Sequence, residues 1–308
     1  MLVSQKCFGT KHFARGSAPV TRLMIQHETR YRYEKPVSFG PQRLMLRPRD
    51  SHGLKVEKAS LAVSPPGAIR WTYDAYGNCV CWFTPQGEAT ELAIISQLLI
   101  ERFPASLAPF HPDNPHSAMP IAYSRDDQAA LAPYRVPDSE DDPSVTAWLA
   151  EQLTAPDEPA LDFLLRMNRA IDAFAYKARY EEGVQTPAET LATRAGTCRD
   201  FAWLMVETLR RAGFAARFVT GYLHSPAATL RGAGATHAWC EVFLPDLGWT
   251  EFDPTNGLAE SPDLIPVAAS RTPREAAPVS GALIGHPGRS ELIVNVTVSA
   301  AEDLAAAA

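Results

Sequence analysis

The chain predicts an α+β protein, a small antiparallel β-sandwich followed by a mixed helical and strand core. Three observations carry that expectation. Alternating runs of apolar and polar residues punctuated by turn residues occupy positions 24–103, prolines crowd positions 104–143, and helical periodicity appears only from position 144. In the first region, Ile25–Tyr33, Arg43–Arg47, Lys55–Val63, Ile69–Tyr73, Cys79–Phe83 and Leu92–Arg102 read as short strands at sandwich spacing. Pro65-Pro-Gly67, Asp74-Ala-Tyr-Gly-Asn78 and Pro85-Gln-Gly87 supply turns between them. The second region, with Pro104, Pro109, Pro112, Pro115, Pro120, Pro133, Pro137 and Pro143, excludes long helices and reads as a linker. The third region, 144–300, opens with a helix capped by Ser144. A second helix follows, with an apolar face of Leu161, Leu164, Leu165, Asn168, Ile171 and Ala175. A third helix starts at Cys198, buries Phe201, Leu204, Met205, Thr208 and Leu209, and stops at Gly213. Strands at 214–222, 237–244, 248–252 and 291–298 complete it, and residues 1–23 and 301–308 read as disordered tails.

At 308 residues the chain suits two compact units of roughly 100–200 residues each. With 46% apolar and 21% charged residues it is ordinary globular material. A net charge of -6 without a basic stripe excludes nucleic acid as a partner. The cysteines at 7, 79, 81, 198 and 240 are scattered and odd in number, so they form no disulfide framework and point to a reducing compartment. No signal-like apolar stretch lies in the first 23 residues, and no run approaches membrane-spanning length. The expectation is a soluble cytoplasmic protein, with its oligomeric state open.

The chemistry concentrates in three segments: Arg194-Ala-Gly-Thr-Cys-Arg-Asp-Phe-Ala-Trp203, Thr236-His-Ala-Trp239 and Glu251-Phe-Asp-Pro-Thr-Asn-Gly257. They offer a thiol, an imidazole and a carboxylate in that order. Placing Cys198 in the first turn of a helix directs unpaired amides and the positive dipole end at its sulfur, which favours the thiolate. Gly196 lets the backbone turn sharply, and the Cys198 amide is a candidate donor to an oxyanion. A hairpin loop at 244–246 pairs Phe243 with Leu247, which sets His237 opposite Asp253 and Trp239 opposite Glu251 on one face. The carboxylate then orients one ring nitrogen and leaves the other for the thiol.

These segments, together with Arg217-Phe-Val-Thr-Gly-Tyr-Leu223 and the opening His27-Glu-Thr-Arg-Tyr-Arg-Tyr33, closely resemble the transglutaminase-like superfamily. The likeness is to bacterial members with an N-terminal β-rich region before a papain-like core, and it spans roughly residues 24–298. The resemblance implies Cys198 as nucleophile, His237 as general base and then acid, and Asp253 as orienter. It implies a cysteine peptidase or amidase forming a thioester on peptide or protein amides. Two departures bear on substrate. Glu251 stands where a small residue is expected, which suggests a charge lining the cleft or a basic substrate; Arg199 is either a substrate contact or a solvated helix-start residue. Trp239 is a candidate cleft wall, Asp200 a cap or supporting residue, and Tyr176 or Tyr180 a candidate to complete the oxyanion hole.

No cofactor or metal is expected. No acidic loop resembles a calcium site, and Cys79 with Cys81 lacks a second ligand pair at zinc spacing. Cys240, Trp203 and Trp249 read as core, and His111 and His116 as linker residues. Hydrolysis is favoured over amine transfer because water needs no second pocket. The competing readings are an amine-dependent transglutaminase, acyl transfer from a thioester cofactor as in arylamine acetyltransferases, and a non-catalytic binding or assembly module.

Overall fold

A computed structural model describes residues 21–103, 118–138, 142–153, 155–179, 183–226 and 229–301. The tails as assigned from sequence, His111, His116 and Tyr180 therefore lie wholly or largely outside the described residues. Five strands come first: β1 (Thr21–Leu44), β2 (Leu54–Ser64), β3 (Gly67–Tyr73), β4 (Cys79–Pro85) and β5 (Glu88–Arg102). Helices α1 (Arg125–Arg135), α2 (Pro143–Gln152) and α3 (Ala160–Asp172) lead to the two-residue strand β6 (Ala175–Tyr176). After α4 (Pro187–Thr193), β7 (Ala195–Gly196) and α5 (Cys198–Arg211) come β8 (Ala216–Leu223), β9 (His237–Leu244), β10 (Gly248–Asp253), β11 (Leu258–Ala259) and β12 (Leu264–Ser270). The last strands are β13 (Val279–Ile284) and β14 (Ser290–Ala300).

The β-rich region differs from expectation in how it closes. One 24-residue strand, β1, replaces the separate Ile25–Tyr33 and Arg43–Arg47 runs. Its first half lies between β5 and β14, and its second half between β4 and β13, so the sheet turns along β1. The two halves share a core that includes Val37, Phe39, Leu44, Cys81, Phe83 and Ile94. The strand at 291–298 thus belongs to this sheet, pairing Leu23–Tyr33 with Ala300–Ser290, and the unit boundary at 300 is corrected. Apolar residues alternate on both segments, and pairing β14 with β1 buries Val296 beside Ile25.

The proline-rich stretch holds a helix after all. α1 carries Pro133 in its last turn, where little helix remains beyond it, and Ser124 Oγ accepts from the Asp127 amide at 3.1 Å. Asp142 rather than Ser144 caps α2, accepting from the Ser144 amide at 2.8 Å, with Pro143 in the first helical position. Ala175 falls outside α3, which ends at Asp172.

The second sheet has the order β11-β10-β9-β8-β12 and is antiparallel throughout. α5 packs on it through Phe201, Leu204, Met205, Thr208 and Leu209, all fully buried, and Gly213 ends the turn at φ +90°. Each large apolar side chain buried there contributes roughly 1.5–3 kcal/mol. The two sheets meet through Leu23, Ile25, Leu98 and Ile100 against Tyr222, Ile265 and Val267. Polar bonds fix their alignment. Asn78 exchanges two hydrogen bonds with the Ala269 backbone, both 2.9 Å, and Tyr222 donates to the Leu46 carbonyl at 3.0 Å. No helix among the described residues is long and apolar enough to cross a membrane.

Candidate active site

Cys198 sits in the first turn of α5, almost buried at 6% exposure. The turn is held by Asp200, whose carboxylate accepts from the Thr197 amide (2.8 Å), Thr197 Oγ1 (2.9 Å), the Gln185 amide (2.7 Å) and Arg179. Burial raises its pKa, but these donors outweigh it and the carboxyl stays below its ordinary value. Asp200 therefore fixes the helix start that presents the thiol. Gly196 serves this knot through space rather than through a sharp turn, since a Cβ there would lie 2.9 Å from Asp200 Cβ.

His237 begins β9 and donates through Nε2 to Asp253 Oδ2 at 2.8 Å; both side chains are fully buried. Asp253 also accepts from Asn256 Nδ2 (2.9 Å) and from the Thr255 amide (2.9 Å). Burial would raise its pKa, but the His237 charge and these bonds hold it below the usual carboxylate range. For His237, burial pushes down, yet the charges of Asp253 and Cys198 prevail and hold its pKa at about 10. With Nε2 committed to Asp253, Nδ1 is the nitrogen left for Cys198, and it has no hydrogen-bond partner among the described residues.

The hairpin reaches this geometry in a different register. Leu244 pairs with Gly248 and Glu251 with Glu241, a shift of two residues from the expected pairing. Gly248 adopts φ +76° as the hairpin closes around Pro245–Leu247, a backbone state that favours glycine over the Leu247 first placed there. A two-residue shift preserves the face, so Asp253 meets His237 diagonally rather than head-on.

Two of the expected substrate contacts are corrected. Trp239 is fully buried, its ring 6.1 Å from that of His237, so it supports the imidazole from within the sheet and does not wall an open cleft. Glu251 is buried too, with Oε2 3.3 Å from Arg102 Nη2, in the seam between the sheets. Burial, then the charge of Glu241 opposite it, pushes the Glu251 carboxyl up to about 8 against the pull of Arg102. Arg199 remains at the site, half-buried beside Cys198.

Tyr176, on β6 against Gly196 of β7, is the tyrosine the structure brings to the thiol. Burial, followed by the Cys198 charge, pushes its hydroxyl up to about 12, while Arg199 pulls it down. Sequence reasoning missed two further residues. Asn256 joins Asp253 to the loop before β9, accepting from the Arg231 amide at 2.8 Å and donating to the Arg231 carbonyl at 3.2 Å. Gly232 in that loop has φ +86°, and a Cβ there would sit 2.9 Å from His237 Nδ1. Asn256 stood inside a recognised motif, and polar side chains that follow a buried acid are a usable signal; Gly232 offered none beyond a glycine-rich stretch. Among the described residues no group of acidic, histidine or cysteine side chains is arranged to hold a metal ion.

Comparison with known proteins agrees with this architecture. Residues 23–101 match the bacterial transglutaminase-like N-terminal region, and residues 147–254 match the transglutaminase-like superfamily. An uncharacterised Mycobacterium tuberculosis protein is 28% identical over 296 residues, covering 90% of this chain and 92% of the relative. A protein-glutamine gamma-glutamyltransferase of Pseudomonas aeruginosa is 39% identical over 75 residues, but these cover only 22% of this chain and 11% of that protein. The fold is similar to that of a proposed cysteine protease from Cytophaga hutchinsonii, with a TM-score of 0.69 over 92% of each chain at 18% identity. The chain belongs to the transglutaminase-like superfamily, with the bacterial N-terminal region preceding its core.

Proposed function

We propose that the protein is a thiol-dependent amide hydrolase acting on peptide or protein amides through Cys198, His237 and Asp253. The observation that carries this reading is the division of the imidazole: Nε2 is held by Asp253 at 2.8 Å while Nδ1 has no hydrogen-bond partner among the described residues and is left for Cys198. Such a pair attacks without waiting for proton removal. The Cys198 sulfur adds to the amide carbonyl carbon, and the resulting oxyanion is met by the Cys198 amide and the Tyr176 hydroxyl. His237 gives its proton to the leaving nitrogen, the C–N bond breaks, and a thioester remains. Water then adds, losing a proton to His237; the C–S bond breaks, the carboxylic acid leaves, and the thiolate with its protonated His237 is restored. Asp253 stays ionised throughout and holds the ring.

The near-complete burial of Cys198, His237 and Asp253 supports a site in which water is admitted rather than freely exchanging. The same thioester resolved by an amine would give a transglutaminase, a reading favoured by the short match to the Pseudomonas aeruginosa enzyme. Incubation of the full chain with a peptide library, with and without methylamine, followed by mass analysis, separates the two. Acid products that persist in the presence of amine are expected, and they vanish in Cys198→Ala. Predominant methylamide products would replace hydrolysis by transfer, and equal turnover by Cys198→Ala would overturn the thiol assignment.

A further inference from the structure

We infer that Arg199 reads a carboxylate of the substrate, so that the amides cleaved carry an acidic group near the scissile bond. This rests on the assignment of Cys198 as nucleophile. Arg199 occupies the second position of α5, immediately after Cys198. A cation at that end of a helix opposes the macrodipole, which favours acids in the first turn and bases in the last; α5 otherwise obeys the rule, with Asp200 in its first turn and Arg210 and Arg211 in its last. Arg199 therefore adds nothing to the helix as a capping charge.

Nor does it belong to an internal ion pair. Arg179 is paired with Asp200, Arg102 with Glu251, Arg217 with Glu241 and Arg231 with Asp172. Arg199 makes no hydrogen bond or ion pair among the described residues. Its nearest acid in sequence, Asp200, spends both carboxylate oxygens on Thr197, Gln185 and Arg179. Yet the side chain is half-buried rather than solvated, and close enough to Tyr176 for its charge to act on the hydroxyl that also faces Cys198.

The result is a partly desolvated guanidinium without a hydrogen-bond partner among the described residues, next in the chain to the reacting cysteine at the positive end of a helix. A planar carboxylate is the group that satisfies such a fork. The expectation of a basic substrate, which rested on Glu251, has no support at this mouth, because Glu251 is buried against Arg102.

Iodoacetate and iodoacetamide test this without knowledge of the natural substrate. Both form the same bond from Cys198 Sγ to carbon and expel iodide; they differ only in carboxylate against amide. Rates at Cys198 are read by peptide mass mapping at pH 6 and low salt, in the full-length wild type, Arg199→Gln and Arg199→Lys. The iodoacetate to iodoacetamide rate ratio is expected to fall about tenfold in Arg199→Gln, the equivalent of ~1.4 kcal/mol. It should fall less in Arg199→Lys, which keeps the charge and loses the fork. Arg199→Gln removes a cation from a helix start and so is expected to fold. An unchanged ratio in Arg199→Gln would overturn the proposal and leave Arg199 a helix-start residue. Slow reaction of wild-type Cys198 with both reagents would count against the nucleophile assignment instead, and the ratio between variants would still decide the role of Arg199.

Discussion

The β9–β10 hairpin buries acidic side chains at two places, and the two environments act on a carboxylate in opposite ways. Asp253 and Glu251 lie two residues apart on one strand, hence on one face, and both are buried. Asp253 receives His237, Asn256 and the Thr255 amide and is held ionised. Glu251 receives Arg102 on one oxygen, has no hydrogen-bond partner on the other, faces Glu241 across the ladder, and is pushed up to about 8. Burial is common to both, so the donors supplied at each place decide the charge state. One environment suits chemistry at neutral pH; the other joins the two sheets.

The largest effect should come from spoiling the first environment. Asp253→Asn keeps the size but loses the charge that orients and stabilises the imidazolium, and turnover should drop by roughly four orders of magnitude. Specific activity on any amide cleaved by the wild type measures it, with thermal unfolding little changed. Spoiling the second environment should strike stability instead. Arg102→Met removes the donors that satisfy the Glu251 carboxyl and the Gly53 and Leu264 carbonyls between the sheets, at a cost of about 1–3 kcal/mol for each buried group left unpaired in urea unfolding, and the double variant with Glu251→Met should recover only the share that belongs to Glu251. A loss of turnover at full stability in Arg102→Met would erase the distinction.

A smaller effect is expected from the loop above the imidazole. Gly232→Ala places a Cβ 2.9 Å from His237 Nδ1 at a φ of +86°, so the ring or the loop must shift, and turnover should fall about 100-fold. The gentlest test is pH. Glu251 has a folded pKa of about 8 against 4.5 for the free group, so the folded state holds the extra proton between those values. Stability therefore falls as pH rises through that window, by on the order of 1 kcal/mol between pH 6 and 7. In Glu251→Gln that slope should flatten.

Much of this was legible in the sequence, because the relevant signals are local. Cys198 at a helix start, with Gly213 as the stop, follows from periodicity and capping, and alternation alone puts His237 and Asp253 on one face. The hairpin register was not legible, since Leu244–Asp246 and Pro245–Leu247 are both three-residue loops and only the φ of Gly248 separates them. Trp239 and Glu251 were misread for a long-range reason. Leu264 joins Trp239 in one buried cluster, and Arg102 reaches Glu251 from a strand 149 residues earlier. The joining of β14 to β1 was hidden likewise, because two alternating strands at opposite chain ends carry no mutual signature. Asn256 and Gly232 matter through contacts with residues already chosen, so they emerge only once His237 and Asp253 are placed together.

The central claim is that Cys198 and His237 act as one charged pair, and the protonation of His237 tests it most directly. Nitrogen-15 NMR of labelled imidazole should find His237 protonated at both ring nitrogens through neutral pH and losing a proton near 10, with the midpoint lowered in Cys198→Ala as one of the charges that raise it is removed. A neutral ring at pH 7, titrating near the ordinary 6.5 and indifferent to Cys198→Ala, would contradict the account.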